Sequence, residues 1–137
     1  MIDHGDFDMV LVIGPEGGKY AAPFEMLRLP VTQIHIDDFD KGRPYKVIGN
    51  LEELRGRRIL LLEDDVHSGS TLNRTLSLVL PFEPEALDLF LGNPIHYQNL
   101  ENVPKVIRNI YTNLSYPKSS EEEHAIYEWF LKLAGAV

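Results

Sequence analysis

The sequence predicts an α/β domain with a parallel sheet at its centre, and three observations carry that prediction. Ile59-Leu60-Leu61-Leu62 is a run of four apolar residues without polar alternation, the pattern of a strand covered on both faces. It runs straight into Glu63, Asp64 and Asp65, and in open α/β sheets ligands bind beyond the carboxyl ends of strands. After that, His67-Ser68-Gly69-Ser70-Thr71 supplies three hydroxyls and a glycine before Leu72, Leu76 and Leu80 recur at helical spacing. A helix that starts there turns free N–H groups and the positive end of its dipole toward whatever lies beyond the strand.

With 137 residues the chain is long enough for one domain with a real core, and residues 1–137 read as a single domain. Charged residues are 25% and hydrophobic ones 44%, as in ordinary globular chains. The net charge of −8 argues against nucleic acid and against an anionic membrane surface, since both select for basic patches. Cysteine is absent, which excludes disulfides and thiolate chemistry from this sequence. No apolar run approaches a membrane span, and Met1-Ile2-Asp3-His4-Gly5-Asp6 lacks the basic and apolar regions of a signal peptide, so a cytoplasmic location is the default expectation.

Taken in order, Asp8 to Ile13 reads as the first buried strand, followed by Gly14-Pro15-Glu16-Gly17-Gly18, where glycines let the backbone turn tightly and approach a ligand. A helix from about Tyr20 to Leu29 completes the unit, with Pro23 acceptable in its first turn. A nucleotide P-loop is excluded here: the spacing from Gly14 to Lys19 is one residue short, and Tyr20 replaces the hydroxyl that binds magnesium. Thr32 to Asp38 forms a second strand, and its terminal Asp37 and Asp38 are either solvated or part of a metal site with Glu63 and Asp64. Phe39 to Lys46 is a loop with Gly42 and Pro44, carrying Lys41, Arg43 and Lys46.

Tyr45 to Ile48 reads as a short antiparallel strand. Asn50 caps a turn over Leu51 to Leu54, and Gly56 ends it. Beyond the central strand and its helix, Pro81 and Pro84 mark a connection, and Ala86 to Leu91 forms the next strand, closed by Gly92-Asn93-Pro94. Lys105 to Tyr111 is either a helix or a last strand with a flanking turn. Ser120-Glu121-Glu122-Glu123 is a capping box for a terminal helix whose Ile126, Trp129, Phe130 and Leu133 share one face.

The acids and the hydroxyl-rich turn ask for different things of one ligand. Carboxylates accept from hydroxyls or hold a cation, whereas the turn suits a phosphate, and ribose 5-phosphate satisfies both. A buried strand leading to an N-capped helix would explain Ser68 or Ser70 and one acid, but not three acids at a strand end. Glu63-Asp64-Asp65-Val66-His67-Ser68-Gly69-Ser70-Thr71 resembles, without a gap, the phosphoribosyl-pyrophosphate signature of the type I phosphoribosyltransferases, closest to the hypoxanthine-guanine form. With Glu63 and Asp64 as the acid pair, Gly69 falls at the family's spacing; Asp65 then stands where the family usually has an apolar residue.

The resemblance implies a type I fold, a mostly parallel sheet with helices on both faces, and a pentosyltransferase that displaces pyrophosphate from phosphoribosyl pyrophosphate with a nitrogen nucleophile such as a nucleobase. Glu63 and Asp64 would orient the ribose hydroxyls and meet magnesium (Mg2+) indirectly, and His67, Ser68, Gly69, Ser70 and Thr71 would hold the 5-phosphate. Glu16, Gly17, Gly18 and Lys19 occupy the place of the pyrophosphate loop. Gly17, Gly18 and the following Ala21-Ala22 match it; Glu16 departs from it, with Lys19 or a metal ion to offset its charge, or with its side chain in solvent. His67 stands where purine-type members carry an acid near the base, as general acid or base or as a hydrogen-bonding residue of the phosphate turn.

The loop at 39–46 corresponds to the family's lid and is short. Gly92, His96, Tyr97, Asn99, Leu100 and Pro104 loosely echo the base-binding region. Family members are often dimers, so the resemblance leaves a homodimer open. Two other classes compete: a non-catalytic regulator that binds nucleotide or phosphoribosyl pyrophosphate on the same fold, which Glu16 and the short lid favour, and a phosphoacceptor signalling domain. The second would need its acids on the first strand, whereas here they follow two others.

Overall fold

The computed structural model describes residues 7–14, 17–18, 21, 25, 29–36, 45–66, 69–92 and 101–112. They form one six-stranded sheet. The strands are β1 (Met9–Ile13), β2 (Val31–His35), β3 (Lys46–Ile48), β4 (Arg58–Glu63), β5 (Ala86–Leu91) and β6 (Ile110–Thr112). They lie in the order β3-β2-β1-β4-β5-β6, every neighbouring pair parallel except β2 with β3. The sheet is therefore mostly parallel, with a short antiparallel strand at one edge.

Side chains alternate across a strand, and the alternation divides the core in two. On one face Met9, Leu11, Ile13, Ile34, Ile59, Leu61, Leu87, Leu89 and Leu91 pack together; on the other Val10, Val12, Leu60, Leu62 and Phe90 do so. Both faces of β1 and β4 are thus buried, as the unbroken apolar run at 59–62 requires. Helix α1 (Ser70–Val79) covers the first face through Leu72, Leu76 and Val79, and Ala21 and Leu29 from the β1–β2 connection pack on the second. The Glu25 N–H donates to the Ala21 carbonyl over 3.1 Å, a helical bond inside the segment expected as a helix. That segment is otherwise outside the described residues, as are residues 37–44, 93–100 and the terminal helix expected after Ser120.

Two details differ from the sequence reading. Leu80 was expected on the buried stripe of α1 with Leu72 and Leu76, but it is exposed and Val79 takes its place. Seven residues turn an α-helix through nearly two full turns, whereas eight carry it about 80° off the face; Pro81, which lacks an N–H, then tightens the chain into a 3-10 turn at Leu80–Phe82. The second strand ends at His35 rather than Asp38. Of the alternatives at 105–111, the structure has a strand, short and late, preceded by a turn in which the Ile107 N–H donates to the Pro104 carbonyl. Asn50 caps the turn Leu51–Leu54 as expected, its Oδ1 accepting from the Glu52 N–H at 3.0 Å, and Gly56 follows with φ of 69°.

Among the described residues, two ion pairs tie the amino-terminal half of the sheet. Asp8, just before β1, accepts from the Arg58 backbone N–H at 2.8 Å and from its guanidinium at 3.1 and 3.3 Å. These bonds hold the Asp8 carboxyl below its ordinary range, the Arg58 side chain being the largest cause. On β5 the fully buried Asp88 accepts from Arg108 at 2.9 and 3.0 Å and from the Asn109 backbone N–H at 3.1 Å, which anchors the segment leading into β6.

The two pairs should respond differently. Because folding lowers the Asp8 pKa, its contribution is complete above the unfolded value near 4 and disappears as pH falls through the folded one. The stability difference between wild type and Asp8→Asn, measured by urea unfolding, should be small at pH 7 and vanish on acidification. Arg108→Met leaves the buried Asp88 carboxylate without its cation, and it should cost about 3 kcal/mol in the same experiment at pH 7.

Candidate functional site

The parallel strands run β2-β1-β4-β5-β6, so the chain leaves β1 toward one edge of the sheet and β4 toward the other. Where two connections part in this way, open α/β sheets bind ligands beyond the carboxyl ends of the two strands. Here those strands are β1, followed by the glycine turn, and β4, followed by the acids and the start of α1.

Gly17 brings the segment after β1 onto strand β4. A methyl group on it would overlap the backbone carbonyl oxygen of Leu62, with the carbonyl carbon at 3.1 Å and Val12 Cγ1 at 3.4 Å. The β1 turn therefore lies directly on the end of β4, one residue before Glu63, and only glycine lets it lie so close. Nothing stands within 4 Å of the corresponding position on Gly18.

Glu63 ends β4 and is buried, its Oε1 accepting from the Asp64 N–H at 2.9 Å. Asp64 and Asp65 are half-buried, and Asp65 Oδ1 accepts from the Val66 N–H at 2.9 Å, which shapes the turn out of the strand. Val66, one residue beyond the position where the resemblance expects an apolar side chain, fills the core in place of Asp65. Gly92, at the end of β5, donates its N–H to the Glu63 carbonyl at 3.0 Å and closes the third side of the strand end.

Gly69 precedes α1 with φ of 84°, the left-handed region that favours glycine, and offers no side-chain cap to the first turn. The first helical bond runs from the Asn73 N–H to the Gly69 carbonyl at 2.8 Å. A methyl group on Gly69 would stand 2.9 Å from the carbonyl oxygen of Asn102 and 3.4 Å from Asn73 Nδ2. Ser70 and Thr71 are exposed on the first turn.

Of the candidate residues that are described, Gly17 rests on β4 one residue before Glu63, with Gly18 next to it in the chain, and Glu63, Asp64, Gly69, Ser70 and Thr71 lie along the end of β4 and the start of α1. Glu16, Lys19, His67 and Ser68 lie outside the described residues, as do Asp37, Asp38, His96 and Tyr97. Asn102 was not singled out in the sequence, and nothing local could have marked it, since it meets Gly69 from 33 positions away. Asn73 carried a signal: side chains in a helix lean toward its amino terminus, and this one is four residues beyond the glycine.

Among the described residues no three His, Cys, Asp or Glu side chains are grouped to hold a metal ion, and none of the helices is long and apolar enough to cross a membrane. The acid pair supplies oxygen donors of the kind magnesium takes. Two carboxylates fit an ion that keeps its waters and arrives with a ligand, rather than one resident in the protein.

Gly17→Ala and Gly18→Ala form a matched pair. The first should lower stability by about 1–3 kcal/mol through overpacking against Leu62, and the second should leave thermal unfolding close to wild type.

No protein-family model matches the sequence, and no curated protein matches it. Among solved structures, the chain is similar to phosphoribosylpyrophosphate synthetase from Mycobacterium smegmatis, with a TM-score of 0.58 at 13% identity over 98% of this chain and 47% of that one. It spans about half the length of that protein. It is also similar to purine phosphoribosyltransferase from Pyrococcus horikoshii OT3, with a TM-score of 0.54 at 15% identity over 79% of this chain and 71% of that one. Strand order, the acid-bearing end of β4 and these two structures together give the chain the type I phosphoribosyltransferase fold.

Proposed function

We propose that the crevice between β1 and β4 binds the phosphoribosyl group of phosphoribosyl pyrophosphate and transfers it to a nitrogen nucleophile, a nucleobase by preference, with release of pyrophosphate. The observation that carries this reading is the placement of Gly17 against Leu62, which sets a glycine turn beside the acid pair while α1 begins six residues beyond that pair. A glycine turn suits a pyrophosphate, a carboxylate pair suits ribose hydroxyls, and a helix start suits a 5-phosphate.

In this reading the Glu63 and Asp64 carboxylates accept hydrogen bonds from the 2- and 3-hydroxyls and hold the ring. The N–H groups that open α1, with the hydroxyls of Ser68, Ser70 and Thr71, hold the 5-phosphate. The bond from C1 to the pyrophosphate oxygen breaks, the electron pair leaves with pyrophosphate, and the nitrogen lone pair forms the new bond to C1. Positive charge gathers on the ribose in between, so fixing the sugar and receiving the leaving group are the protein's main tasks. Glu63 and Asp64 would hold magnesium indirectly, and the ion would supply positive charge for the leaving group. Gly17, Gly18 and Lys19 receive the pyrophosphate beside Glu16, and His67 moves the proton at the nucleophile.

A second reading keeps the binding and omits the transfer: a regulator that senses phosphoribosyl pyrophosphate or a nucleotide. Glu16 favours it, since a carboxylate beside the glycine turn opposes pyrophosphate binding.

Calorimetric titration with ribose 5-phosphate tests the common part, and pyrophosphate release from phosphoribosyl pyrophosphate and magnesium, assayed across purine and pyrimidine bases, separates the two readings. Wild type should bind ribose 5-phosphate, and Asp64→Asn should bind it about tenfold more weakly through loss of a charge-assisted hydrogen bond. Absence of binding at millimolar concentration would sink both readings, whereas binding without release in the presence of any base points to the regulator.

A further inference from the structure

The two acids at the end of β4 are alike in charge and unlike in surroundings. Side chains alternate across a strand, so Glu63 falls on the face of Ile59 and Leu61, the face that α1 covers, and its partner in register on β5 is Leu91 of the same apolar cluster. Glu63 is only 7% exposed, whereas Asp64 is half-buried. A carboxylate placed so deep is costly unless it is hydrogen-bonded. Glu63 Oε1 meets that need with the N–H of the next residue, Asp64, at 2.9 Å.

The same bond constrains Asp64. Its N–H and the Glu63 carbonyl belong to one peptide group, which is planar and turns as a unit. The carbonyl accepts from the Gly92 N–H at 3.0 Å, and the N–H is held by the Glu63 carboxylate. Both poles of the group are thus gripped, one from the end of β5 and the other by a charge-assisted bond, the stronger kind. The direction in which Asp64 leaves the strand is set before a ligand arrives, and a group ordered in advance loses less freedom on binding.

We propose that Glu63 is a positioning residue: it aims Asp64, and the affinity for the ribose hydroxyls runs mainly through the Asp64 carboxylate. This rests on the phosphoribosyl reading above and deepens it, since the pair then works in series rather than as two equal contacts.

The test is calorimetric titration with ribose 5-phosphate on wild type, Asp64→Asn, Glu63→Gln, Glu63→Met and the two double variants that join a Glu63 change to Asp64→Asn. Glutamine keeps an oxygen that can accept the Asp64 N–H; methionine keeps the length and suits apolar neighbours but offers no such oxygen. Glu63→Met should weaken binding about three- to tenfold, the worth of one hydrogen bond, and Glu63→Gln should weaken it less. Beside Asp64→Asn the Glu63 changes should cost little more, because residues that act through one another are not additive. Additive losses in the double variants overturn the assignment, since Glu63 then serves the sugar by its own contact or serves the fold at large. So does a loss in Glu63→Gln as large as in Glu63→Met, and so does wild-type affinity in both. If Glu63→Met fails to fold, hydrogen exchange of the Asp64 amide by NMR decides: slow exchange in wild type that quickens in Glu63→Gln supports the assignment, and exchange that is rapid in wild type or unmoved in Glu63→Gln overturns it. Wild-type protein that does not bind ribose 5-phosphate overturns the phosphoribosyl reading itself, whereas binding with additive losses overturns only this assignment.

Discussion

The contact on which the site depends is that of the Gly17 backbone with the Leu62 carbonyl. Parallel pairing sets β1 against β4 with Val12 opposite Leu62, so both strands end at the same level and both following loops must share the space above. A side chain at Gly17 would force them apart. Without one, the glycine turn settles on the end of β4 and the acids emerge beside it. Strand register thus becomes site geometry through a single close approach, and the tolerance for change there is small because backbone meets backbone.

The two ends of the sheet differ in how they place charge. Toward the amino-terminal ends, charges are matched: Asp8 with Arg58, and buried Asp88 with Arg108. Toward the carboxyl ends, Glu63, Asp64 and Asp65 follow one another, and a glycine in the left-handed region, which has no side chain to cap the helix, starts α1. The paired end and the double-sided apolar core hold the sheet together from the amino-terminal side.

Much of the fold was legible because its signals are local. The run at 59–62 has no polar residue and became a strand buried on both faces; Asn50 has a cap's side chain at a cap's position; Ala86 to Leu91 was bounded by Pro84 and Gly92 and formed a strand over those residues. Reading weakened where residues one position apart compete. Leu80 looked like the next member of the stripe on α1, yet Val79 points inward because the helical repeat falls short of four residues. Lys105 to Tyr111 carried signals for both a turn and a strand, and both are there in succession.

The sequence by itself determined the chemistry at the end of β4: an apolar strand, a carboxylate pair, and a glycine at the spacing that begins a helix, all within a dozen residues whose backbone preferences report on one another. Only the tertiary structure decided which other parts of the chain meet them. That β1 lies beside β4, that Gly17 rests on Leu62, and that Asn102 meets Gly69 are contacts between distant positions. Periodicity cannot encode them, because the same pattern of buried strands is compatible with several strand orders, and only the packed core selects one of them.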